Sequence, residues 1–211
     1  MTEDQPCLDV RDSAAIGDAL RHADIAHLSS RLAAHAPREV SPWPEARLAA
    51  VAAVLRVTDE VDVLFIKRAE AAHDPWSGHV AFPGGRHEPA DLTLQDTAIR
   101  ETREELSLDL THGRMLGQLD DLSPRAAGLP AIVIRPFVAL VSADVRFELS
   151  REVAAAFWVP LSQLRAIEAN VEHERIVDGV GARFPAYAVQ GHVVWGLTER
   201  IVRQLLSLFE S

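Results

Sequence analysis

Glu101 is followed by Glu104 and Glu105, three and four residues on, near the end of the stretch FPGGRHEPADLTLQDTAIRETREELSL (Phe82 to Leu108). On a helix this spacing stacks the three carboxylates one turn apart on one side. Like charges so placed each cost a few tenths of a kcal/mol on an exposed helix. Arg100 and Arg103 offset part of that. A divalent cation would offset more, and clustered carboxylate oxygens suit hard Mg²⁺ or Mn²⁺. An acidic and basic run is most simply a solvated face. What shifts the reading is the loop before it. Pro83 fixes the entry, and Gly84 and Gly85 let the backbone come close to another element or take positive φ. A rigid glycine loop leading into an acid-lined helix can hold a metal against a phosphate chain.

The helix carrying these residues is predicted from about Leu94 to Leu106. Thr93 is its N-cap, and Asp96 three residues later completes a capping box. Ala98, Ile99, Thr102 and Leu106 form the stripe that should face the core. Before it, LAAVAAVLRV and VDVLFIKRA read as strands joined by the short turn TDE, and HDPWSGHVAFPGG as a loop with a short strand inside it. After it, GRMLGQLDDL and AIVIRPFVALV read as strands. SREVAAAFWVPLSQLRAI reads as a short helix start, a strand edge and another helix. RIVDGVGARFPAYAV reads as a hairpin around Asp178 and Gly179, with Gly179-Val180-Gly181 a turn. VVWGLTERIVRQLLSLF is the closing helix, with Ile201, Leu205 and Leu208 on one face. Strands and helices mix without regular βαβ alternation, which favours an α+β fold: a mixed sheet with helices packed on it.

Residues 1 to about 36 look helical, with Ile16, Leu20, Leu28 and Leu32 at near-helical spacing. APREVSPWPEAR, with Pro37, Pro42 and Pro44, reads as a linker. The chain therefore divides into an N-terminal helical extension and Pro-rich linker (1–47) and a main domain (48–211). The extension is free to close over a pocket or to serve a homodimer.

The 211 residues are 48% hydrophobic and 25% charged, which suits a globular chain with a real core. A net charge of −10 argues against a nonspecific nucleic-acid binder. A metal or basic pocket can still invert the field locally for a phosphate substrate. Cys7 is the single cysteine, so no intrachain disulfide forms and a reducing, cytoplasmic home is expected. MTEDQPCLDV shows no signal-peptide pattern, and no apolar run approaches the ~20 residues needed to span a bilayer. The nine histidines show no zinc-ligand spacing.

The stretch resembles the signature of the Nudix hydrolases: a Gly, five residues, an acid, seven residues, then Arg-Glu-apolar-x-Glu-Glu-x-Gly-apolar. Gly85 is followed after five residues by Asp91, and Arg100, Glu101, Thr102, Glu104, Glu105 and Leu108 match the second half. Three positions depart from the pattern. Eight residues separate Asp91 from Arg100. Asp91 stands where the family has Glu, and Glu88 could share its role. Ser107 replaces the Gly that eases a left-handed helix cap. The resemblance implies a Nudix-like α/β/α sandwich with a mixed sheet. It also implies Glu101, Glu104 and Glu105 as metal ligands, with backbone near Gly84 and Gly85 contributing to the metal and phosphate site. Arg100 would hold one of these glutamates by a salt bridge. The implied reaction is attack of water on a diphosphate with Mg²⁺ or Mn²⁺ bound. Glu104 or Glu105 would act as base, with Glu148 and Glu152 in reserve.

Beyond this box the chain looks most similar to the coenzyme A diphosphatase-like branch. VLFIKRAEAAHDPWSGHVAFPGG, EVAAAFWVPLSQL, FPAY and VVWGLTERI carry that likeness, with Arg68, Gly78 and Phe82 on the branch motif. The branch's later Arg is missing, with His73 or Asp74 near its place. Coenzyme A or an acyl form is the first expected substrate. ADP-ribose, a dinucleotide or a nucleoside triphosphate is the enzymatic alternative, and a non-catalytic nucleotide sensor the alternative of another class. Arg68, Trp76, Gly84 and Glu152 are candidate substrate contacts. Trp76 could stack on a base or anchor its loop. Glu152 could be a helix-start acid or a loop carboxylate facing the metal site. His79 and His87 could touch a phosphate. Trp158 and Trp195 read as core, and Arg135 could point into a substrate pocket.

Overall fold

In the computed structural model, which describes residues 10–72, 76–124, 130–166, 170–177 and 180–210, the central strand is β1 (Arg47–Val57). Its side chains alternate between two buried faces. Ala50, Ala52 and Val54 go to one hydrophobic cluster, and Ala53 and Leu55 to the other. Small alanines at the centre let helices approach the sheet on both sides.

One edge of β1 runs parallel to β6 (Ile132–Leu140) along nearly its whole length. The other edge is divided. Its C-terminal end pairs antiparallel with β2 (Val61–Arg68), and its N-terminal end with β4 (Gly84–Arg86). Between them the Ala52 N–H donates to the Pro83 carbonyl at 2.9 Å. β3 (Val80–Ala81) and β7 (Val153–Pro160) pair with β2, and β5 (Arg114–Gln118) with β6. The seven-stranded sheet is mixed, as the irregular alternation of elements implies. The divided edge matters for function, because it opens the sheet where the glycine loop enters.

α3 (Leu94–Leu106) covers the first face through Ala98 and Leu106, which pack with Ala52, Leu64 and Ile66. On the second face lie α2 (Ala23–Ala34), α4 (Leu161–Arg165) and α5 (Gly196–Ser207), around Leu55, Val63 and Phe65. The result is the α/β/α sandwich. A three-stranded sheet, β8 (Asn170–Val177), β9 (Val180–Val189) and β10 (His192–Trp195), stands beside it. Ile201, Leu205 and Leu208 are buried together as their spacing predicts. No described helix is long and apolar enough to cross a membrane.

Several local expectations change. The N-terminal helical run is two helices, α1 (Val10–Leu20) and α2, because the Arg21 and His22 N–H groups turn back to the Asp18 and Ala19 carbonyls. Ile25, Leu28 and Leu32 of α2 join the main core. The linker after them is fastened by two aspartates: Asp120 accepts from the Arg38 N–H, and Asp121 from the Val40 N–H, each at 2.9 Å. Arg135 does not face a substrate pocket. Its guanidinium makes two 2.9 Å bonds to the buried Asp121 carboxylate and reaches Glu39 at 3.1 Å. Residues 151–152 are a turn leading into β7, so Glu152 does not begin a helix. VVW is strand β10, and the helix starts after it. Gly181 lies within β9, opposite Ile176. Trp158 is half-buried under Arg56 and packs against the core on the α3 face, whereas Trp195 is half-buried among rings and belongs to no core cluster among the described residues. Asp178 and Gly179, and His73 and Asp74, lie outside the described residues.

Candidate functional site

The site is set by how α3 begins. The Thr93 hydroxyl accepts from the Asp96 N–H at 3.1 Å, and the Asp96 carboxylate accepts from the Thr93 N–H at 2.9 Å, closing the expected capping box. At its other end Ser107 takes a left-handed conformation (φ 53°) that favours glycine. Between these caps, Thr97, Ala98, Thr102 and Leu106 are buried, with Ile99 half-buried. Glu105 is buried with them, at 3% exposure, although its neighbour Glu104 points to solvent.

Arg100 organises the helix against the loop. Its Nε and Nη2 bond the two Asp91 oxygens at 2.9 and 3.0 Å, and Nη2 also donates to the Arg86 carbonyl at 2.8 Å. Nη1 reaches Glu101 at 3.1 Å and Glu104 at 3.2 Å. Asp91 further accepts from the Glu88 N–H and the Thr97 hydroxyl. Its bonds to Arg100 hold its carboxyl far below the usual range. The acid that orients Arg100 is therefore Asp91. Glu88 contributes only its N–H to that acid, and its exposed side chain does not share the role. The eight-residue spacing is taken up within this loop, whose shape Asp91 fixes. His87 serves it too, with Nδ1 3.0 Å from the Thr97 hydroxyl.

The glycine pair brings the loop onto the carboxylates. Gly84 has φ +152°, and a Cβ there would run into the Ala50 carbonyl. A Cβ on Gly85 would fall on the Glu101 carboxylate. The Gly84 N–H donates to Glu105 Oε2 at 2.9 Å, and Arg68 lies 3.8 Å from the other oxygen. Loop, helix and the end of β2 thus meet at Glu105.

This meeting point is short of positive charge. Burial raises the Glu101 carboxyl against the pull of Arg100. Burial also pushes Glu105 up to about 7, against the Gly84 N–H and Arg68, and with Glu101 and Glu152 adding repulsion. Glu152 acts on both glutamates from the turn before β7, so it belongs to this carboxylate group. Glu148 is exposed, its N–H bonded to the Leu106 carbonyl. Trp76 is half-buried, and its carbonyl closes the 76–79 turn by accepting from the His79 N–H.

As the side chains stand, no three His, Cys, Asp or Glu among the described residues are gathered tightly enough to hold a metal ion. The donor chemistry nevertheless fits a hard divalent cation. Glu105 is a buried and Glu101 a half-buried oxygen donor, both raised first by burial and further by neighbouring carboxylates, and Glu104, 58% exposed at its side chain, has room to turn from Arg100.

The NUDIX domain family matches residues 46–180, a span that holds the glycine loop, α3 and every carboxylate just described. The chain belongs to the Nudix family. Its relatives include the uncharacterized Nudix hydrolase NudL of Photorhabdus laumondii, 33% identical over 67% of this chain and 74% of that protein. The NudL of Yersinia pestis is 31% identical over 75% of this chain and 78% of that protein. Among solved structures, a MutT/nudix family protein from Enterococcus faecalis shares the fold with a TM-score of 0.54 at 14% identity, over 94% of this chain and 74% of that one. As a Nudix hydrolase this chain is a pyrophosphohydrolase by class, and such enzymes generally use divalent metal ions.

Sequence reading identified most of the cluster. It missed the depth of Glu105, which neighbours an exposed glutamate and looks alike on paper. It also did not find a cavity at the end of β2 that Lys67, His173, His192 and Trp195 help to line. Those residues come from strands far apart in the chain, and only the folded sheet unites them.

Proposed function

We propose that this Nudix hydrolase cleaves the pyrophosphate bond of a nucleoside diphosphate derivative with Mg²⁺ or Mn²⁺, coenzyme A or acyl-CoA first among its substrates. The observation that carries the chemistry is the surplus of buried carboxylate around Glu105. Glu101, Glu104 and Glu105 would hold the cation, with the carbonyl of Gly85 beside them. When bound, the cation neutralises phosphate charge and makes water more acidic.

This chain's own residues do the rest. Asp91 fixes Arg100, and Arg100 holds Glu101 in place, while Glu104 would turn from Arg100 to reach the cation. The Gly84 N–H holds one oxygen of Glu105. Before a cation binds, burial holds the proton affinity of Glu105 near neutrality, and Glu104 or Glu105 would accept the proton of the attacking water. Glu152 raises that affinity through its charge, and Arg68 moderates it. The coenzyme A preference is supported by the stretches around Arg68, Gly78 and Phe82 that resemble the coenzyme A diphosphatase-like branch. The same reading treats residues 1–47 as an extension of a hydrolase domain spanning 48–211.

A substrate panel tests this. Coenzyme A, ADP-ribose, NADH, a dinucleoside polyphosphate and nucleoside triphosphates are incubated with Mg²⁺ and the native chain or Glu104→Gln, and products are identified by mass. Coenzyme A cleaved at its diphosphate, with loss in the variant, is expected. Cleavage of another compound moves the substrate. Tight binding of one nucleotide without turnover replaces the enzyme with a sensor.

A further inference from the structure

A cavity of about 690 Å³ opens where the end of β2 and β3 meet the three-stranded sheet. Its volume lies within the range of small-molecule sites, about 300–1,000 Å³. Lys67, His79, His173, Glu174, His192 and Trp195 are among its lining. Trp195 stands among rings, with His79 and His173 centred 4.9 and 4.8 Å away and tilted to it. His192 stacks on Phe157 at 4.4 Å. The wall therefore offers flat aromatic surface and several ring N–H groups.

Its charge is unusual for a chain of net charge −10. Glu174, the acid of the wall, is paired with Arg183 at 2.9 Å. No carboxylate among the described residues pairs with Lys67. An ammonium with no carboxylate partner among the described residues, in a wall that also holds three imidazoles and an indole, matches an aromatic ring that carries an anionic group.

The position ties this cavity to the carboxylates. Lys67 and Arg68 are neighbours on β2, and successive strand residues face opposite sides. Lys67 lines the cavity, and Arg68 reaches Glu105 at 3.8 Å. Val80 also lines it and pairs with Lys67, four residues before Gly84. Cavity and carboxylates therefore lie on either side of the end of β2.

We propose that this cavity seats the phosphorylated aromatic half of the substrate, a nucleotide moiety, and so sets which diphosphates are accepted; this rests on the hydrolase reading above. Lys67 meets the anionic group, and Trp195 and its flanking histidines meet the ring.

Adenosine 5′-monophosphate is the probe, titrated calorimetrically into the full chain with chelator present. The expected result is binding weakened by about tenfold or more in Lys67→Met and in Trp195→Leu, the loss of one charge-assisted or stacking contact. Lys67→Arg should restore it, and unchanged melting temperatures exclude misfolding. In turnover, Lys67→Met should raise KM for the cleaved nucleotide substrate with kcat retained, and the monophosphate should inhibit competitively. No binding of the monophosphate, binding indifferent to Lys67 and Trp195, or noncompetitive inhibition each overturns the proposal. Binding needs no turnover. Lys67-dependent binding in a chain that cleaves nothing would therefore sink the hydrolase reading while the pocket stands.

Discussion

Arg100 and Arg135 are both forked onto a buried aspartate, and they do different things. Arg135 bonds both oxygens of Asp121, and its remaining reach goes to Glu39 at the rim. Asp121 also takes the Val40 N–H, so that knot closes on itself and fastens the linker to the sheet. Arg100 bonds both oxygens of Asp91 but must also serve Glu101 and Glu104, with Glu105 and Glu152 near by. Burial and repulsion raise Glu101 and Glu105 there. An ion pair that balances locally is a fastener. One that leaves buried like charge unbalanced has the chemistry to take a cation.

The sharpest way to break this contrast is Glu105→Gln. It should lower activity by about 10²–10⁴-fold, as expected for loss of a group that moves a proton. It should also stabilise the metal-free chain above pH 7 by about 1–3 kcal/mol. The sign follows from its folded-state value of about 7 against an ordinary 4.5. Stability from this group is full below pH 4.5 and is lost as pH rises through about 7. Denaturant melts in chelator from pH 4 to 8 would show the native slope and its absence in the variant.

On the other side, Asp121→Asn should cost about 3 kcal/mol, because it leaves a partly buried guanidinium with only the exposed Glu39 carboxylate to pair with. Activity per folded molecule should not change, and paired melts and initial rates would show it. Asp91→Asn should blur the two classes. Arg100 keeps two other carboxylates, so the stability loss should be smaller than for Asp121→Asn, while activity falls by about 10–100-fold. The smallest effect belongs to Ser107→Gly, which relieves a left-handed residue and should add about 1 kcal/mol without touching turnover. Thermal melts resolve it.

Which parts were legible in sequence follows from how local their causes are. The α3 boundaries, the Thr93–Asp96 box and the strained Ser107 cap depend on residues within a turn of each other, and each was readable. The mixed sheet was readable from the irregular order of strands and helices along the chain. Arg135 was misread because its partner Asp121 lies across a strand pair and nothing in the local pattern announces it. Trp195 was misread as core because an apolar neighbourhood in sequence does not say which face of β10 meets solvent. Glu152 was ambiguous until the turn before β7 set it beside Glu105. The Lys67 cavity was invisible because its walls converge from β2, β8 and β10.

The most direct measurement is Mn²⁺ affinity by titration calorimetry for the native chain, Glu105→Gln and Asp121→Asn. An unbalanced carboxylate site predicts binding by the native chain, a loss of about 10–100-fold in Glu105→Gln, and native affinity in Asp121→Asn. Absence of binding by the native chain, or equal affinity in native and Glu105→Gln, would contradict it.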